Sequence, residues 1–298
     1  MLQMVKMREF AQRAVVATTA LLMVGCGRVE LKGFIIPTGD VVNSRFEQSF
    51  DLHNAIPTAQ LQADEEYLFY VCTDPHISDT TDNLRSWVAD LRGDGSALFG
   101  VVMGDCIDKL GSMPTYVEAL NHLQDSQESP TPIFSALGNH DLYFSQWEQF
   151  RELVGPSVYW FEVAHEGGKD LFVVLDTASG TLGSRQSEWL ATFLDSERPH
   201  YRHCIIITHT NLLYTDNSQV TSGNLPFEES MWLFELFDKH DILLCLQGHD
   251  HHREDLTFRG VRYTTVGTIR DEFPTPEYLC ILVTPQGVEY EWRVENKE

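Results

Sequence analysis

Ala97-Leu98-Phe99-Gly100-Val101-Val102-Met103-Gly104-Asp105-Cys106-Ile107-Asp108 is an apolar run that stops abruptly on a glycine and two aspartates. A short run without alternation reads as a strand buried on both faces, as in parallel sheets covered by helices. The chain repeats the arrangement. Tyr67–Thr73 runs into Asp74-Pro75-His76, and Pro132–Leu137 into Gly138-Asn139-His140-Asp141. His203–Thr208 runs into His209, and Ile242–Gln247 into Gly248-His249-Asp250-His251. Ligands of open α/β sheets gather at the carboxyl ends of strands, so five runs ending in Asp, Asn or His predict one shared crevice.

Between the runs lie helical patterns. Leu84, Trp87, Val88 and Leu91 form one stripe, behind candidate N-caps among Thr80, Thr81 and Asp82. Tyr116, Val117, Leu120 and Leu123 form a second; Trp189, Leu190, Phe193 and Leu194 a third; Trp232, Leu233, Leu236 and Phe237 a fourth. Toward the C-terminus Leu279, Ile281 and Val283, a turn at Pro285–Gly287, then Val288, Tyr290, Trp292 and Val294 predict a hairpin with one buried face. The sum is an α/β (α+β) sandwich.

Each motif alone is weak. Gly-Asp after a strand is commonly a turn, and Gly-Asn-His-Asp can be one too, because Gly and Asn tolerate positive φ. Gly-His-x-His is stronger, since alternate residues of an extended segment point the same way and can chelate. It is the ordered set of five that carries the reading. That order and spacing resemble the calcineurin-like metallophosphoesterases from about Tyr67 to the C-terminus. Leu182-Gly183-Ser184-Arg185-Gln186-Ser187-Glu188-Trp189-Leu190 is similar to a stretch before the fourth motif of many bacterial members. Two features depart from the protein phosphatases of the family: Lys109 stands where they carry Arg, and Thr210-Asn211 follows His209 without Pro.

The resemblance implies two mixed sheets flanked by helices, with two divalent ions, or iron with a divalent partner, at the strand ends. One ion would be held by Asp74, His76, Asp105 and His251, the other by Asp105, Asn139, His209 and His249, with Asp105 as the bridge. Imidazole, carboxylate and amide oxygen without thiolate suit Mn, Fe or Zn. A hydroxide between the ions would attack a phosphomonoester or diester, His140 would act as general acid, and Asp108 would orient it. Asp141 and Asp250 are expected to support neighbours rather than ligate, and His252 to lie at the surface. A nucleotide, sugar or lipid pyrophosphatase on the same core is an alternative, as is a catalytically silent metal- or ligand-binding lipoprotein.

Length and charge bound the rest. At 298 residues the chain can bury one large core with an appendage. Lys plus Arg total 21 against 44 Asp plus Glu, a formal charge of -23, which disfavours nucleic acid and leaves a small phosphorylated substrate as the expected partner. Cys72, Cys106, Cys204, Cys245 and Cys280 lie in or beside strand-like stretches and read as buried small hydrophobes, not disulfide partners. Lys6, Arg8 and Arg13 precede an apolar stretch, Ala14–Gly25, too short to span a bilayer. Met23-Val24-Gly25-Cys26 resembles a bacterial lipobox. Residues 1–25 are therefore expected to be a signal peptide, with a lipid on Cys26 as the membrane contact and the cell envelope as the location. Residues 26–62 are expected to be a tether or small strand segment, and 63–298 the catalytic domain. The polar stretch Thr210–Phe227 and the pair Tyr143 and Phe144 are candidates for shaping the pocket.

Overall fold

The computed structural model describes residues 38–55, 59–124, 130–213 and 225–294. Its first half runs α1 (Thr38–Ala55), β1 (Gln60–Gln62), β2 (Tyr67–Cys72), α2 (Asp82–Gly93), β3 (Ala97–Val102), α3 (Met113–Leu120), β4 (Ile133–Ser135), α4 (Trp147–Leu153) and β5 (Tyr159–His165). Then come β6 (Gly168–Val174), α5 (Gly183–Glu197), β7 (Cys204–Ile207), α6 (Phe227–Lys239), β8 (Leu244–Gln247), β9 (Glu254–Phe258), β10 (Val261–Thr265), β11 (Glu277–Thr284) and β12 (Gly287–Val294). All five runs that end on polar residues are strands.

They fall in two sheets. A five-stranded sheet has the order β12-β11-β2-β3-β4, a seven-stranded one the order β1-β5-β6-β7-β8-β10-β9. Strands β2, β3 and β4 are mutually parallel, as are β6, β7, β8 and β10, while hairpin partners add antiparallel edges. Alternate side chains then divide between layers. Phe69, Val71, Phe99, Val101, Phe172, Ile205, Ile207, Leu244 and Leu246 fill the space between the sheets. Tyr70, Cys72 and Val102 instead meet Trp87 and Leu91 of α2, and Cys204, Ile206 and Cys245 meet α5 and α6. The five described cysteines are buried and free, as their apolar settings implied.

Several sequence expectations shift. Leu123 closes the second stripe on paper, but α3 ends at Leu120 and Leu123 is 44% exposed. Helix α2 starts after Thr81, yet the Thr81 side chain does not cap it. Asp271 does, accepting from the backbone N–H of Asp82 and Asn83 at 3.2 and 2.8 Å. The C-terminal hairpin forms, but β11 is buried on both faces: Leu279, Ile281 and Val283 enter the space between the sheets, and Tyr278 and Cys280 join the layer that holds Trp87 and Leu91 of α2.

The largest difference concerns residues 26–62, expected as a tether or small strand segment. Among the described residues of this segment, only Gln60–Gln62 form a strand, paired with β5. Thr38–Ala55 is a helix docked onto the domain. Val42, Phe46, Ser49 and His53 recur at helical spacing and are buried, and Phe46 and Phe50 pack on Trp189 at 5.8 and 6.1 Å. Arg45, 2% exposed, makes a two-point pair with fully buried Asp176, Nε to Oδ2 at 2.8 Å and Nη2 to Oδ1 at 3.1 Å. Ser157 Oγ also donates to Asp176, at 2.9 Å. Residues 1–25, with Cys26, lie outside the described residues. Among the described residues no helix is long and apolar enough to cross a membrane.

Removing one partner of a buried ion pair leaves the other uncompensated, which costs roughly 3–5 kcal/mol. Arg45→Met should therefore lower the urea midpoint clearly while β-sheet circular dichroism persists. A midpoint equal to wild type would show that the Arg45–Asp176 pair adds no net stability.

Candidate metal centre

The carboxyl ends of β2, β3 and β4 from one sheet and of β7 and β8 from the other meet at a single seam. Asp74, His76, Asp105, Asn139, His140, His209, His249 and His251 all follow these strands. The backbone there is unusual. Nine described non-glycine residues have positive φ, and five of them are Asp74, His76, Asp105, His249 and His251, between +46° and +70°. Such residues cost on the order of 1–2 kcal/mol each, so their concentration on the expected ligands marks a built site. Two glycines let the loops touch. A Cβ on Gly138 would lie 2.0 Å from Asp105 N, and one on Gly104, φ +92°, 2.7 Å from Gly138 N.

Two clusters result. In the first, His76 Nε2 lies 3.1 Å from His251 Nε2, and Asp74 Oδ1 lies 3.6 and 3.3 Å from those atoms. In the second, His209 Nε2 lies 3.1 Å from Asn139 Oδ1 and 3.2 Å from His249 Nδ1. Asp105 joins them, Oδ2 standing 3.6 Å from His76 Nε2 and Oδ1 3.4 Å from His209 Nε2. A third group sets His140 Nε2 3.9 Å from Asp105 Oδ2, nearer to ligating range than the sequence suggests.

Whether these atoms suit a cation follows from their proton bookkeeping. His209 Nδ1 faces the Met103 carbonyl at 2.8 Å and must donate to it, so the neutral ring presents a lone pair at Nε2. That lone pair faces a carboxylate oxygen and an amide oxygen, the latter set inward because Asn139 Nδ2 donates to Tyr143 Oη at 3.2 Å. Asp74 Oδ1 is buried and accepts no hydrogen bond. Acceptors thus converge at both points with too few protons between them, and a divalent cation at each resolves it. Asp74, His76, Asp105 and His251, and Asp105, Asn139, His209 and His249, are the sets that would hold them.

Without cations, protons must serve instead. Burial opposes a charged His76, but the nearby carboxylates of Asp108, Asp74 and Asp105 outweigh it, pushing the ring up to about 10. Burial likewise opposes a charged His209, and Asp105 and Asp74 push it up to about 9. Burial works against the carboxylates of Asp74 and Asp105, yet the charge of His209 and other imidazoles holds both below the usual range. Asp108 is held low mainly by His140 and His76 against its burial. Asp141 goes the other way, raised to about 7 by burial and the charge of Asp105. It supports its neighbours, as expected, by accepting from Ile107 N at 3.1 Å and Gly138 N at 2.8 Å.

Around the clusters, His140 Nδ1 bonds Asp108 Oδ1 at 2.7 Å. Tyr143 packs against His140 with ring centres 4.6 Å apart and planes tilted by 53°. The Phe144 side chain and residues 214–224 of the polar stretch lie outside what is described. Asp250 is buried, and His252 is half-buried with Nδ1 2.8 Å from the Asp250 carbonyl. The sequence reading missed the end of β6, where Thr177 Oγ1 accepts from His209 N and Thr210 N at 3.3 and 2.9 Å. The apolar run Leu171–Leu175 was the available signal.

The calcineurin-like phosphoesterase profile matches residues 67–253, more than half of the chain. The chain belongs to this family. Calcineurin-like phosphoesterases are hydrolases of phosphoric esters, and the donor clusters here are of the kind that binds metal. No curated protein matches the sequence. A dimetal phosphatase from Danio rerio superposes with a TM-score of 0.55 at 13% identity, over 77% of this chain and 99% of that one. A purple acid phosphatase from yellow lupin gives 0.60 at 15%, over 78% and 52%. GAP50, the anchor in the inner membrane complex of Plasmodium, gives 0.56 at 12%, over 78% and 85%. At these identities the likenesses speak to the fold alone.

The raised pKa values of His76 and His209 set a pH signature. A group raised above its unfolded value stabilises the fold fully below that value and loses the contribution as pH rises through the folded one. The metal-free protein should therefore melt at falling temperature from about pH 6.5 to 10, and the metal-loaded form should melt higher with a flatter profile. Melting curves across that range check it, and a flat metal-free profile would count against the clusters.

Proposed function

We propose that the chain is a two-metal phosphoesterase that cleaves phosphomonoester or phosphodiester bonds of a small substrate. The observation that carries this reading is the disposition of Asp105, with one carboxylate oxygen toward each donor cluster. Two cations bridged by that carboxylate would supply Lewis acidity for the phosphoryl oxygens and lower the pKa of an attacking water. Mn, Fe and Zn fit the donors.

The remaining chemistry belongs to side chains. Asp108 accepts from His140 Nδ1 and fixes the ring so that Nε2 faces the centre. With Nδ1–H held by Asp108, Nε2 is the ring position that would pass a proton to the leaving oxygen. No side chain needs to act as nucleophile. The envelope location and the lipid on Cys26 belong to the same proposal, supported by the Ala14–Cys26 segment of the sequence.

Hydrolysis of p-nitrophenyl phosphate beside bis(p-nitrophenyl) phosphate by the Mn-loaded protein tests the reading. Asp105→Asn should remove turnover on whichever ester is cleaved, and activity that survives it would refute the shared carboxylate. His140→Ala should retain metal and lose about 10²–10⁴-fold on an alkyl phosphate, with a smaller loss on nitrophenyl esters. Equal losses on both leaving groups would remove His140 from the acid role.

A further inference from the structure

The loop between β10 and β11 brings Arg270 beside the His140–Asp108 pair. Its Nη2 lies 3.4 Å from Asp108 Oδ2, on the opposite oxygen from the one that holds His140. Its Nε donates to Glu272 Oε2 at 2.9 Å, and the side chain keeps 30% exposure. Glu272 is 58% exposed, so water weakens its hold on the guanidinium.

The loop is fastened to the segments that carry the expected ligands. Thr268 Oγ1 donates to the Asp74 carbonyl at 2.7 Å, and Ile269 N to the Thr73 carbonyl at 3.1 Å. Arg270 N donates to Thr268 Oγ1 at 3.0 Å, and Asn83 Nδ2 donates to the carbonyls of Ile269 and Arg270 at 3.0 and 3.2 Å. Asp271 receives the first N–H groups of α2. Bonds on both sides of Arg270 thus fix its backbone against the metal clusters. Lys109, the cation next in sequence to Asp108, is turned outward onto exposed Asp79 and serves no such purpose.

A chain of formal charge -23 repels an anionic substrate at long range, and a fixed guanidinium at the site offsets that locally. We propose that Arg270 grips a non-bridging phosphoryl oxygen and makes the centre selective for phosphomonoesters over diesters. The inference rests on the two-metal reading. A monoester has three non-bridging oxygens; if the cations engage two, the third remains for Arg270. In a diester that third position carries a second ester group, and the guanidinium loses both a partner and a charge.

The test compares the metal-loaded full chain with Arg270→Gln, Arg270→Lys and Lys109→Gln. It reads kcat/KM on p-nitrophenyl phosphate and on bis(p-nitrophenyl) phosphate, and the binding of inorganic phosphate by calorimetry. Arg270→Gln should lower kcat/KM on the monoester by about 10- to 100-fold, mainly through KM, weaken phosphate binding comparably, and leave the diester within about threefold. Arg270→Lys should recover part of both losses, and Lys109→Gln should change neither. Equal losses on the two esters would make Arg270 a brace for Asp108 and overturn the selectivity. Unchanged phosphate affinity would overturn the grip. If the wild type cleaves neither ester, the hydrolase reading fails, while the phosphate titration still decides the role of Arg270.

Discussion

Asp74, Asp105 and Asp141 are buried carboxylates packed into one cluster, and the seam between the sheets is organised around keeping them compensated. Each does so by reaching across to another loop. Asp74 Oδ2 accepts from His249 N at 3.0 Å and from Thr73 Oγ1 at 2.6 Å. Asp105 Oδ1 accepts from His140 N at 2.7 Å. Asp141 takes the N–H of Ile107 and of Gly138. The hydrogen bonds that satisfy the charges are therefore the same ones that fix the loops. For Asp74 and Asp105 this leaves carboxylate oxygen facing the imidazoles, where only a proton or a cation can balance it.

The two-sheet architecture serves that arrangement directly. Apolar side chains between the sheets hold them face to face, and the parallel strands within each aim their carboxyl ends at the same edge. One sheet delivers Asp74, His76, Asp105 and Asn139, the other His209, His249 and His251. Neither half contains a complete cluster. Arg45 and Asp176 extend the same logic to α1, since Asp176 precedes Thr177, which holds the backbone of His209 and Thr210.

The candidate ligands were legible because polar residues directly after buried strands have few structural reasons to be there. What escaped the sequence depended on distant partners. Val42, Phe46, Ser49 and His53 had helical spacing, but Pro37, Gly39 and Pro57 around them suggested a tether, and the partner that makes Arg45 buriable lies 131 residues away. The cap of α2 was sought next to Thr81 and came from Asp271. Strand β11 looked one-sided because Trp87 and Leu91, which share a layer with its Tyr278 and Cys280, belong to the start of the domain. Arg270 carried no motif at all; only the folded loop sets it beside Asp108.

The bond from His249 N to Asp74 Oδ2 closes a span of 175 residues, and that span has a consequence for how the molecule comes into being. Long closures are slow and are rewarded only after the intervening strands have paired. During synthesis the first donors emerge early and the last emerge after β8, so the nascent chain exposes an incomplete, acidic half-site for most of its elongation. Ions bound there would load only after tertiary assembly, and would then act as a late fastener between halves that had to find each other unaided.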